Sequence, residues 1–155
     1  MRDDTHGAAR FAHRDQDRYG KVTMPIDCVR DERRRWLFAR ATEALSLGET
    51  MDFLRTARAK IEDRMWPMLV DARACRTTMT EADVEAAVAI VRAVAQRHER
   101  RAHVAIAADD DVLYRWFLLY EARCAEAGVR VIRIFRHLEN AERWLEIVSA
   151  ARELA

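Results

Sequence analysis

Lysine is almost missing from this chain. Of its 27 Lys and Arg residues only Lys21 and Lys60 are Lys, and the formal net charge is +1. So even a balance gives no general pull toward nucleic acid or anionic lipid. An Arg- and Ala-rich composition is what GC-rich coding produces, so an Arg cluster is not by itself a binding patch. Cysteine is scarce as well. Cys28, Cys75 and Cys124 lie far apart and form no C-x-x-C pair. An odd, scattered set argues against a disulfide framework and a thiolate zinc site, and suits a reducing cytoplasm. The five histidines, His6, His13, His98, His103 and His137, show neither H-x-x-x-H nor H-E-x-x-H spacing, so no metal is expected. Apolar runs fall far short of the roughly 20 residues that a membrane span needs. Residues 1–21 carry charges throughout and have no apolar core of a secretory signal. There is no internal repeat, no low-complexity tract and no catalytic signature.

What is present is an alternation. The chain has 155 residues, half of them hydrophobic and 34% charged, which suits one globular domain with its own core. Short β-branched runs at 66–70, 103–107 and 129–135 are separated by long stretches with helical spacing. That pattern predicts an α/β layered domain with a largely parallel sheet. Residues 1–22 read as a charged, loosely attached tail and 23–155 as the domain.

Residues 25–30 and 35–41 read as a hairpin around the polar turn Asp31-Glu32-Arg33-Arg34, without the favoured Asn-Gly pair. A helix is expected over 49–62, and a third strand over 66–71 with Pro67 at its tolerant first turn. Thr80 is a natural N-cap for the helix that follows, with Glu81 and Asp83 suiting its positive end. A fourth strand spans 103–108. Asp109-Asp110-Asp111 opens another helix that stops at Gly128, a good residue just past a helix end. A fifth strand covers 129–135 and a last helix about 138–153. Strands apolar on both faces imply helices on both sides of the sheet.

Through the segments PMLVDARACRTTMTEADVEA, RAHVAIAADDDVLYRWFLLYEARCAEAG and VRVIRIFRHLENAERWL, the chain resembles the SpoIIAA-like group of bacterial proteins. The pieces that carry the resemblance are Leu69-Val70-Asp71-x-Arg73, Tyr120-Glu121, and Phe135-Arg136 with Ala141 and Trp144-Leu145. It covers about residues 25 to 145. It implies a STAS-like (sulfate-transporter and anti-sigma-factor-antagonist) single domain: a mixed, mostly parallel five-stranded sheet flanked by four helices. In the anti-sigma antagonists of that fold an Asp-Ser pair at the start of the second helix is a phosphorylated switch. Met79-Thr80 stands at the matching place, so a hydroxyl remains while the acid is replaced by Met.

Open α/β sheets bind ligands at the carboxyl ends of their strands. That edge should gather Asp71, Arg73 and Cys75 after the third strand, Asp109–Asp111 after the fourth, and Arg136 with His137 after the fifth. Asp71, Arg73, Thr80, Asp109, Arg136 and His137 are therefore the ligand-binding or switch candidates. Each has a plainer reading beside it. Acids at a helix start favour the dipole, and Thr80 as a cap needs no phosphate. Cys75 lies near Arg73 and Arg76, cations that lower a thiol pKa, but no base neighbours it in sequence.

The helix after Asp109 is apolar nearly all round. Leu113, Trp116, Phe117, Tyr120 and Cys124 form the sheet-facing side, and Tyr114, Leu118 and Leu119 lie off it. Those three are the interface candidates, facing a partner, a second copy or an apolar ligand; the alternative is cover by the N-terminal segment. The leading reading is a non-enzymatic cytoplasmic regulatory or protein-interaction module, a homodimer through this helix, with no cofactor. The runner-up is a small-molecule or lipid-binding domain, because STAS-like folds resemble CRAL-TRIO carriers in layout. An enzyme built on Asp71, Arg73, Cys75 and His137 takes third place, and nucleic-acid binding is disfavoured.

Overall fold

The computed structural model describes residues 26–42, 44–45, 49, 66–77, 79–97 and 102–154. The tail expected over 1–22 and, Glu49 apart, the helix expected over 49–62 lie outside those residues. The first two strands, β1 (Ile26–Asp31) and β2 (Trp36–Ala41), pair antiparallel from Ile26 opposite Ala41 to Asp31 opposite Trp36. Their turn works without Asn-Gly because two residues share the task. The Asp31 carboxylate accepts from the Arg34 N–H at 2.9 Å, and Arg35 takes the left-handed conformation at φ 55°. A non-glycine residue there carries a small steric cost, which the closed hairpin must offset.

The chain continues through β3 (Ala44–Leu45), β4 (Met68–Asp71), β5 (Arg76–Thr77), α1 (Glu81–Arg97), β6 (Val104–Ala107), α2 (Asp111–Glu126), β7 (Ile132–Phe135) and α3 (Leu138–Glu153). The main sheet has five strands in the order β1-β2-β4-β6-β7, antiparallel at β1-β2 and parallel from β2 onward. This is the mixed, mostly parallel α/β sheet expected from the strand pattern. A small parallel ladder of β3 with β5 accompanies it.

Strand alternation sorts the core into two layers. On one face Leu37, Ala39, Met68, Ile106, Ile132 and Ile134 meet Val84 and Val88 of α1 and Leu113 and Cys124 of α2. On the other, Trp36, Leu69, Ala105 and Ala107 meet Ala141 and Leu145 of α3. Leu37, Leu69, Leu113 and Leu145 are among the fully buried side chains. Each contributes about 1.5–3 kcal/mol by leaving water.

The helix ends explain the spacing of the strands. Asp110 caps α2 by accepting from the Leu113 N–H at 2.9 Å. At the other end Gly128 sits at φ 84°, its N–H bonded to the Ala125 carbonyl and that of Val129 to the Cys124 carbonyl. This double bond pattern needs a left-handed residue and a buried apolar one after it; Val129 is 3% exposed. Val129 thus closes the helix, and β7 starts only at Ile132 although the apolar run begins earlier. On the outer border of the sheet, the Ile134 N–H donates to the Glu121 carboxylate of α2 at 2.9 Å. Among the described residues, no helix is long and apolar enough to cross a membrane.

Candidate functional site at the carboxyl edge of the sheet

Parallel pairing of β2 with β4 sets Arg40 beside Asp71, both on the α3 side of the sheet. Asp71 ends β4 and is only 5% exposed, the buried charged residue among those described. The turn after β4 brings Arg73 back over it. The Arg73 Nε donates to one carboxylate oxygen at 2.9 Å, its Nη2 to the other at 3.0 Å, and its backbone N–H to the first at 3.2 Å. A forked guanidinium matched to both oxygens is the strongest neutralising geometry that a side chain offers. Burial alone would raise the Asp71 pKa. The hydrogen bonds and charge of Arg73, with the charge of Arg40, outweigh it and hold the carboxyl below its usual range. Arg40 approaches Asp71 at 3.8 Å, too far for a hydrogen bond, and its guanidinium lies 5.6 Å from the centre of the Phe38 ring.

Arg40, Thr42, Asp71, Arg73 and Ala74 line a hollow of about 500 Å³. Beside it the chain turns inward. The Cys75 N–H bonds the Ala72 carbonyl at 3.1 Å, and the thiol is fully buried. A thiol that sequence position puts near two arginines is thus packed in the core, away from solvent. Arg76 makes the bridge to the next strand end, donating to the Cys75 carbonyl at 2.8 Å and lying 3.7 Å from Asp110.

A second group forms around Arg136, after β7. Its Nη1 donates to the Asp109 carbonyl at 2.9 Å and to the Asp111 carboxylate at 2.7 Å. Its guanidinium stacks 3.9 Å from the centre of the Tyr114 ring. Arg136 therefore ties β7 to the start of α2, and Tyr114 lies beneath it. The two groups feel each other. The Arg73 pKa is raised, first by its bond to Asp71 and further by the charges of Asp71, Glu139 and Asp109, against an opposing burial effect.

The remaining candidates lie apart from this pair. Thr80 and Asp83 form a reciprocal cap at the start of α1: the Thr80 N–H and hydroxyl donate to the Asp83 carboxylate at 2.8 and 3.0 Å, and the Asp83 N–H to the Thr80 hydroxyl at 3.3 Å. His137 is the exposed N-cap of α3 and its side chain makes no capping bond. On α2, Leu118 is 40% and Val112 58% exposed, while Tyr114 and Leu119 are half-buried against the core. Tyr120 and Cys124 share a hydrogen bond inside that core; burial pushes the Tyr120 hydroxyl well up and the Cys124 thiol to about 11. Neither group has the ionisable character of a nucleophile. Among the described residues, no cluster of acids, histidines and cysteines could hold a metal ion.

Arg40 and Thr42 are the residues that sequence reasoning missed, and Arg76 was read only as a neighbour of Cys75. Arg40 did leave a signal: it is the charged residue between Ala39 and Ala41 in an otherwise apolar strand. Its neighbour, however, depends on strand order, which periodicity does not encode.

No protein-family model matches the chain, and no curated protein does. Among solved structures, an uncharacterised protein of the DUF3478 family with a SpoIIAA-like fold, from Shewanella loihica PV-4, is similar at 15% identity. The match covers 77% of this chain and 91% of that one, with a TM-score of 0.47.

Proposed function

We propose that this chain is a non-enzymatic, cytoplasmic interaction or regulatory module that self-associates through the outer face of α2. The observation that carries the reading is the exposure of Leu118 on the side of α2 opposite the core, with Val112 exposed about a third of a turn round the same helix. Asp111 and Arg115 lie on the same stripe of α2 as Leu118 and are exposed, so charges of both signs border it. Exposed apolar surface with a polar rim is characteristic of association sites.

The chemistry of the sheet edge supports a role in recognition. Asp71 is held ionised by Arg73 and makes a poor general base. Asp110 and Asp111 are each engaged by an arginine, Arg76 and Arg136. Such pairs fix positions; they do not move protons.

Size-exclusion chromatography with light scattering on the whole chain tests the reading. Wild type is expected to run as a dimer, and Leu118→Asp as a folded monomer with an unchanged circular dichroism spectrum. A monomeric wild type, or a Leu118→Asp variant that still dimerises, refutes association through α2.

A further inference from the structure

We infer that the hollow at the carboxyl edge of β2 and β4 binds the phosphate group of a small phosphate ester, with Arg40, Arg73 and Thr42 as its donors. This goes beyond the association of α2 and does not depend on it.

The argument begins with charge. Among the described residues, the hollow is lined by two guanidiniums and one carboxylate. Asp71 can satisfy only one of them, and the fork from Arg73 shows which. Arg40 is left at 3.8 Å, with its charge only partly compensated and no hydrogen bond from its Nε to Asp71. Arg73 also feels Glu139 and Asp109, so Arg40 is the guanidinium whose charge is left to meet a ligand, across an open hollow of about 500 Å³.

Preorganisation is the second step. A guanidinium has five N–H donors. Two on Arg73 are spent on Asp71, which fixes the plane of the group and so the direction of the others. Arg40 is steadied by the Phe38 ring beneath it and by the charge of Asp71. Arginines already held in place lose less side-chain freedom when a ligand arrives. Asp71 is thus a positioning residue whose own contact with the ligand is not required.

The donor set selects the ligand. Asp71 takes the Nε–Nη2 fork of Arg73, and a planar carboxylate ligand would use only one further fork, such as that of Arg40. What remains comes from three side chains on two elements: Arg40 and Thr42 at the end of β2, and Arg73 after β4. Several donors converging from different directions suit a tetrahedral group with three acceptor oxygens and nearly two negative charges. Arg40 and Arg73 are each about half exposed, so binding must weaken as salt rises.

The test is a backbone-amide NMR titration of the whole chain at low ionic strength. The probes are inorganic phosphate, glycerol 3-phosphate and acetate. The expected result is saturable shifts at Thr42, Arg73 and Ala74 with both phosphates, and binding of acetate at least about tenfold weaker. If glycerol 3-phosphate binds more tightly than inorganic phosphate, the hollow also holds the ester's carbon skeleton; equal binding assigns the free ion, and overturns the ester. Arg40→Gln should weaken phosphate about tenfold or more. Thr42→Val, which leaves every charge in place, should weaken it roughly two- to tenfold. Arg133→Gln, on the far border strand, should change nothing. Absence of saturable shifts, acetate binding as well as phosphate, or equal losses in Arg40→Gln and Arg133→Gln would each overturn the assignment. Leu118→Asp should bind phosphate as wild type does, so failure here is separable from failure of the α2 interface.

Discussion

Replacing Arg73 with Met leaves a carboxylate in the core edge with no fork to neutralise it. In the wild type Asp71 is 5% exposed and takes two side-chain bonds from Arg73 at 2.9 and 3.0 Å. Removing one partner of a fully buried pair costs about 3–5 kcal/mol. Here the partner is itself 41% exposed and Arg40 remains at 3.8 Å, so solvent screening reduces the figure to about 2–3 kcal/mol. For a domain of this size that is a fall in Tm of about 5–10 °C. The pH dependence gives the sharper test. In the wild type the folded pKa of Asp71 lies below the unfolded value of about 3.9. Its contribution is therefore fully present above that value and lost as pH falls through the folded pKa. In Arg73→Met the burial effect is no longer outweighed and the folded pKa rises. The variant is penalised at pH 7 and relieved as the pH drops. Urea denaturation of both proteins at pH 7 and pH 4.5 measures this, with the difference expected to shrink at the lower pH. A difference below about 0.5 kcal/mol at pH 7, or one that does not change with pH, would refute the account of Asp71 as a buried anion held by Arg73.

Three further outcomes are expected. Asp110→Ala removes the cap from α2 and should lower stability by about 1 kcal/mol, read by the same denaturation; no loss would mean that the Leu113 N–H bond is not formed in solution. Gly128→Ala should cost about 1–2 kcal/mol. Open space surrounds the site, so the cost arises from the φ of 84° alone, and Gly128→Asn should recover part of it. In a variant retaining only Cys124, the thiol should react with a disulfide reagent at pH 8 slowly and only through opening of the fold. Its pKa of about 11 and full burial leave little accessible thiolate; reaction within seconds, without denaturant, would contradict that packing.

The strands were legible because each is a short apolar run with turn chemistry on both sides. Even the hairpin at 25–41 could be read through its unfavourable turn, since Trp36–Ala41 alternates clearly enough to override it. Three features escaped for different physical reasons. The β3-β5 ladder has two residues per strand, too few for any period to register. Val129 reads as strand but serves the end of α2, because a buried apolar residue suits both uses. Cys75 reads as a loop thiol beside two arginines, yet the turn at Ala72 folds it under. The candidate site was half legible: Asp71 and Arg73 are two residues apart in the chain, whereas Arg40 joins them only through the pairing of β2 with β4. Local sequence carries the first relation and topology the second.

Glu121 has a consequence for what the molecule avoids becoming. A border strand normally offers outward N–H groups as a template for another chain. On β7 the Ile134 N–H is already engaged by a carboxylate from the helix above, and Arg133 stands 3.6 Å from that same side chain. An incoming strand would have to displace that carboxylate to reach the Ile134 N–H. The molecule thus carries a built-in stopper on that edge, set on the helix that also presents Leu118. Leu118 and Glu121 share a stripe of α2, so the association proposed for that helix and the guarding of β7 draw on one surface.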